Sequence, residues 1–154
     1  MAWELSTRAL SSLALLAVVS VLGGWGLNLL VQSHLQQVEH AADRIASLVE
    51  EVRTAPGDAT LEIDLQTLEA RGIPLTIEGE RLQLTMTPTT VTVLNRGSSA
   101  TASWYGEVRL GEPQAEYQPT SLTFDLTHPW IIQRIGPPEG EPGAEAVTYV
   151  YLLP

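Results

Sequence analysis

Three histidines are the side chains best suited to bind a metal or move a proton near neutral pH. His34 and His40 are six residues apart on a predicted helix, so they lie on different faces, and no metalloprotease spacing surrounds them. His128 precedes Pro129, which favours extended backbone, and no serine stands in a nucleophile motif. We therefore predict packed or solvated histidines, and we assign no catalytic, cofactor-binding or metal-ligating residue.

Charge and composition exclude further classes of protein. The 8 basic and 18 acidic residues give a net charge of −10, which repels the phosphate backbone of a nucleic acid. The acidic residues form no calcium-loop pattern, and the glycines form no nucleotide-binding pattern. Cysteine is absent, which removes disulfides, thiolate metal sites and cysteine nucleophiles. The sequence predicts a protein that is not an enzyme and uses no cofactor.

The aromatic residues of the C-terminal part leave two interpretations open. Tyr149 and Tyr151 are two residues apart on a predicted strand, so their side chains share one face. That face is either a core stripe or an exposed adhesive one, and packing is the favoured interpretation.

The elements that would position these residues begin with an uncharged segment. Residues 9–31 are dominated by Leu, Val and Ala and would span about 34 Å as a helix, enough to cross a bilayer. They predict a transmembrane or filament-core helix after a cytoplasmic leader, 1–8, and they lack the pattern of a cleaved secretory signal. Ser20 and Gly24 are four residues apart, which indicates either helix packing in the membrane or simply the frequency of small residues in such spans.

A second pattern follows the apolar segment. Apolar residues recur at alternating spacings of 4 and 3, the pattern of a seam on one helix face, and no proline interrupts until Pro56. We therefore predict an amphipathic helix extension over 32–55, which packs on a sister helix or along the following domain; packing within a larger assembly is favoured over a free coiled coil. The predicted assembly seam consists of Val31, Leu35, Val38, Ala42, Ile45, Val49 and Val52.

Residues 56–154 change to a period of two, which is typical of half-buried strands. Glu78-Gly79-Glu80 and Asn95-Arg96-Gly97 predict tight turns between strands. The predicted fold class is α+β: one long N-terminal helix, with a transmembrane half and an amphipathic half, followed by an all-β antiparallel sandwich-like domain. The domain 56–154 is expected to lie outside the cell. A Gly57–Pro154 fragment, which lacks the helix, is expected to fold on its own.

The order of these segments resembles archaeal type IV pilin-like proteins, a group that includes pilins, archaellins and archaellum stator subunits. The resemblance lies in the leader ending Arg8-Ala9, the apolar run from Leu10 and the stretch from Val91 to Ser98. It implies cleavage by a prepilin-type peptidase near Ala9 and Leu10, and bundling of the N-terminal helices in a filament with the β domains outward.

The predicted function is that of a structural subunit of a type IV pilus-like extracellular filament, which self-associates through its N-terminal helix. Its predicted partners are further copies, the membrane and other filament or envelope proteins, with no nucleic acid. Its predicted localisation is the cell membrane as a single-pass protein, or an extracellular filament after processing. The alternative is an uncleaved, membrane-anchored accessory or stator-like protein whose β-sandwich binds a cell-envelope partner. Charge in the seam, as in Ala42→Glu with Ile45→Glu, is expected to abolish assembly.

Overall fold

The computed structural model of the chain describes residues 33–137 and 143–154. The chain divides into two compact units, Met1–His34 and Leu35–Pro154, and the second contains all the strands described below. The predicted span 9–31 lies outside the described residues, and with it Ala9, Leu10, Ser20, Gly24 and Val31.

The first described helix, α1, covers residues 33–53. Its core-facing side chains are apolar and its other faces carry charged and polar residues, which is the pattern of a helix at the surface of a domain. Thr54 N donates to Glu50 O at 2.9 Å, and the helix ends there because Pro56 cannot donate the backbone bond that would continue it.

The predicted fold class is wrong in its first element. No helix among residues 33–137 and 143–154 has both the length and the apolar character needed to cross a bilayer. The structure shows a mostly β fold with one longer helix and several sheets, and α1 is an amphipathic helix of that fold. The predicted single-pass membrane localisation, and the description of the protein as a transmembrane one, are corrected with it.

The strands of the second unit form two four-stranded sheets and one hairpin. The first sheet has the order β1-β9-β10-β7, the second has the order β6-β5-β4-β8, and β2 pairs with β3. The strands are β1 Ala59–Ile63, β2 Thr76–Ile77, β3 Glu80–Arg81, β4 Gln83–Met86, β5 Thr90–Asn95, β6 Ser98–Ser103, β7 Arg109–Leu110, β8 Leu122–Asp125, β9 Trp130–Ile135 and β10 Val147–Leu152.

Two local features differ from the prediction. The sheets are not all antiparallel, because β7 runs parallel to β10, with Arg109 opposite Tyr149. Leu65, which fits the same period-two alternation as Leu61 and Ile63, instead begins a short helix, α2 (Leu65–Ala70). Asp64 caps α2, since its Oδ1 accepts a hydrogen bond from Thr67 N at 2.9 Å, a local bond that competes with strand pairing.

The two predicted tight turns are present. Ile77 pairs with Glu80, and Asn95 pairs with Ser98, so each hairpin has a two-residue loop. Both loop residues have positive φ, including Glu78 at 53° and Arg96 at 49°, as the turns that match strand twist require. Glycine in the second position of each loop meets this requirement without strain.

One hydrophobic core joins α1 to the inner faces of both four-stranded sheets. Phe124 from the second sheet and Trp130 from the first meet with ring centroids 5.5 Å apart. Leu84, Val93 and Ile132 are completely buried in the same cluster. The β strands and α1 are therefore parts of one packed unit.

Candidate functional site

The described residues contain no group of three or more histidine, cysteine, aspartate or glutamate side chains placed to hold a metal ion. His40 Nε2 accepts a hydrogen bond from Arg44 Nε at 3.2 Å, and His128 Nε2 lies 2.8 Å from Leu153 O. These two histidines lie on different elements and each has a structural partner. Within the described residues, α1 carries both an apolar face toward the core and exposed charged faces.

The face of α1 toward the core is wider than the predicted seam. Five seam residues are at most 4% exposed and belong to the core cluster: Val38, Ala42, Ile45, Val49 and Val52. Leu35 is 39% exposed, and Val31 lies outside the described residues. The seam thus meets the chain's own β strands, which was one of the two partners that the pattern left open. Its role in assembly stays a prediction.

Three more apolar residues of α1 are buried beside the seam: Ala41, Ala46 and Leu48. Together with the five buried seam residues they form what we call the inner stripe of α1. A stripe of three to four apolar residues per two turns is typical of a helix that packs on a globular core, whereas two per heptad is typical of a coiled coil. The extra apolar residues beside the seam were the sequence signal that distinguishes a helix packed on a globular core from a helix in a coiled coil.

Burial of the inner stripe makes α1 part of the stability of the β unit. Burying one Val, Leu or Ile side chain contributes about 1.5–3 kcal/mol, and whole domains are stable by only about 5–15 kcal/mol. Val38, Ile45, Leu48 and Val49 are each at most 2% exposed. We therefore expect the Gly57–Pro154 fragment, which lacks α1, to lose its fold, in contrast to the expectation from sequence.

Polar contacts fix one flank of α1 to the residues that follow α2. Arg71 forms an ion pair with Glu51, with Nη1–Oε2 and Nη2–Oε1 distances of 2.6 and 3.0 Å. The paired Glu51 carboxylate raises the pKa of Arg71 above its usual value. Arg44 Nη1 donates to Arg71 O at 3.1 Å on the same flank.

The chain after α1 is held by β9. Arg134 Nη1 donates to Gly57 O at 2.7 Å and also to Ala55 O. Asp58 Oδ1 accepts a hydrogen bond from Gly136 N at 2.6 Å. These bonds satisfy backbone carbonyls where the helix ends and fix the direction in which β1 starts.

The other flank of α1 faces β6 and the loop after it. Arg53 Nε donates to Glu50 Oε2 at 3.0 Å, and this bond, with the charge of Arg53 and the Tyr105 N–H, holds the pKa of Glu50 below its usual value. A Cβ placed on Gly106 would lie 3.5 Å from Arg53 Nη1. Glu39 and Asp43 lie nearer the start of the helix on this flank, beside Ser99 and Thr101 of β6.

Tyr149 and Tyr151 share the outer face of the first sheet, and the structure gives them different surroundings. Tyr149 is buried, at 8% exposed, whereas Tyr151 is half-buried and donates from its hydroxyl to Gln133 Oε1 at 2.9 Å. A cavity of about 340 Å³ lies between this face and the loop after β7, lined by Glu112, Pro113, Gln114, Gln133, Ile135 and Tyr151. Neither tyrosine belongs to the common core cluster, and of the two only Tyr151 lines the cavity at the loop after β7.

Comparison of the chain with protein-family models, with curated proteins and with solved structures finds no match.

Proposed function

We propose that this chain is a structural subunit of a type IV pilus-like filament, in which copies associate through the N-terminal segment and display the unit Leu35–Pro154. The observation that supports the proposal is that α1 is built into the core of this unit through its inner stripe. In the resembled family, a β domain that holds a helix of this kind is the part that the filament displays. The segment that precedes α1 in the chain is the uncharged stretch 9–31.

The chemistry of residues 9–31 supports self-association. A 23-residue stretch without a formal charge requires an apolar environment, and the same stretch in neighbouring copies provides one. The net charge of −10 would resist association through the display units and favours their separation on the filament surface.

Electron microscopy of the purified full-length protein tests the proposal. We expect filaments that bind an antibody raised against the folded unit, and mass spectrometry is expected to find a mature N-terminus near Leu10. Monodisperse particles with an intact Met1 over a wide range of protein concentration would refute the filament function.

A matched pair of variants in the N-terminal segment sharpens the test. Gly24→Leu adds bulk at a position where close approach of neighbouring copies is predicted, so filaments should be lost, whereas Gly24→Ala keeps a small side chain and should preserve them. The thermal unfolding of the unit should be the same in both variants, because Gly24 precedes Leu35. Filaments of normal appearance in Gly24→Leu would contradict the predicted packing role of Gly24.

A further inference from the structure

Strand β6 forms an edge of the second sheet. Among the described strands it pairs only with β5, and its six residues, Ser98–Ser103, include no charged residue and no proline. Its register with β5 is continuous from Asn95–Ser98 to Thr90–Ser103, so no bulge turns the edge away. Natural proteins protect such edges, because unpaired strand edges recruit other strands.

The register shows which backbone groups face the open side of β6. Asn95 and Ser98 close a two-residue hairpin and exchange both hydrogen bonds, so the next residue, Ser99, directs its N–H and C=O away from β5. By the same alternation, Thr101 and Ser103 also direct their N–H and C=O groups away from β5. The hydroxyl oxygens of Thr92 and Thr101 lie 2.8 Å apart, which fits the closer side chains of a pair that is not hydrogen-bonded.

Each of the other edge strands in the two described four-stranded sheets is shorter than β6 and carries a charged residue. On β1, the backbone oxygen of Glu62 accepts a hydrogen bond from Thr67 Oγ1 of α2 at 3.1 Å. Strand β8 has four residues and ends at Asp125, and β7 has two residues. Strand β6 is thus the long unprotected edge of the described fold.

A groove runs between this edge and α1. It encloses a cavity of about 390 Å³ lined by Glu39, Asp43, Ser99, Ala100 and Thr101. Glu39 and Asp43 are exposed and one helical turn apart, and neither forms an ion pair within the part of the chain that the structure describes. Glu50, farther along the same flank, is already paired with Arg53. The groove therefore joins open backbone donors and acceptors to two uncompensated negative charges.

We propose that β6 binds an extended basic segment of another protein as an added strand. The added backbone pairs with Ser99, Thr101 and Ser103, and alternate lysine or arginine side chains turn toward Glu39 and Asp43. A second copy of this chain is a poor occupant, because two copies would each bring a net charge of −10 to the contact. This inference does not depend on the filament function.

A labelled seven-residue peptide of alternating threonine and lysine is the probe, measured by fluorescence anisotropy with the full chain. Thr101→Pro removes an edge N–H that does not bond β5, a position where strands tolerate proline, and should weaken binding about ten-fold. Thr101→Val keeps the N–H and should bind like the unaltered chain. In the bound state, amide hydrogen exchange should slow at Ser99, Thr101 and Ser103.

A second test changes only the charges on α1, so it remains informative if Thr101→Pro fails to fold. Glu39→Gln with Asp43→Asn leaves the edge intact and should weaken binding about five-fold, and a peptide with glutamate in place of lysine should bind more weakly still. Equal binding by the charge variant and the unaltered chain would overturn the proposal, as would protection from exchange elsewhere. A homodimer formed through β6 without binding of the lysine peptide would also overturn it.

Discussion

The two faces of α1 differ in composition and in role, because one is apolar and buried and the other is polar and exposed. The inner stripe is at most 7% exposed at every position, whereas Glu39, His40, Asp43 and Ser47 on the other faces are exposed. The inner stripe packs into the core of the β unit and one flank bonds Arg71, while the remaining exposed positions are available for contact with other molecules. An apolar seam read from sequence can therefore mark the place where a helix meets its own domain.

The largest expected effect comes from placing a charge in the inner stripe. Ile45 is completely buried, so Ile45→Glu would bury an unpaired carboxylate at a cost above about 4 kcal/mol. We expect the unit to unfold at 25 °C or to be near its transition, as measured by circular dichroism in urea. Ser47→Glu places the same charge on an exposed position of α1 and should leave the urea midpoint nearly unchanged. Similar midpoints for the two variants would show that the two faces are equivalent.

A smaller effect is expected where β9 holds the end of α1. Arg134→Met removes the hydrogen bonds to the carbonyls of Ala55 and Gly57, for a loss of about 2 kcal/mol in the free energy of unfolding. Arg109→Met is the control, because it removes an exposed arginine from β7 in the same sheet. An equal loss of unfolding free energy in both variants would show that the change in net charge, and not the lost hydrogen bonds, causes the effect.

A still smaller effect is expected for the ion pair between Glu51 and Arg71. Both side chains are exposed, at 51% and 41%, so the coupling energy should be below about 1 kcal/mol and should fall as salt is added. A double-mutant cycle with Glu51→Gln and Arg71→Met measures this coupling. A coupling that salt does not change would contradict the exposed geometry.

Several local features were predictable because the residues that determine them are adjacent in the chain. The Glu78-Gly79 and Arg96-Gly97 turns follow from residues that tolerate positive φ between alternating strands. Helix α2 was missed, although Asp64 is a favoured N-cap residue, because Leu65 also fits the alternation of β1. At this point of the chain, the signal for a helix start and the alternation of a strand overlap.

The surfaces were less predictable because their partners are distant in sequence. That Glu39 and Asp43 border β6 depends on contacts across more than fifty residues of chain. Periodicity shows that a helix has an apolar face and does not show what covers it. The predicted transmembrane helix had the same weakness, since it was inferred from the length and apolar composition of one segment.

The smallest expected effect is a pH dependence on the β6 flank of α1. The bond from Arg53 lowers the pKa of Glu50 below the usual 4.5, so the folded state favours the ionised form. A carboxyl whose pKa is lower in the folded state stabilises the protein above its unfolded pKa, and this contribution is lost as the pH falls through and below about 4.5. Glu50→Gln should remove this part of the acid sensitivity, seen as a flatter dependence of the urea midpoint on pH between about 5 and 3. Glu112→Gln is the control, because Glu112 is exposed and should keep the slope of the unaltered chain. An unchanged slope in Glu50→Gln would show that the pair with Arg53 forms no more in the folded state than in the unfolded one.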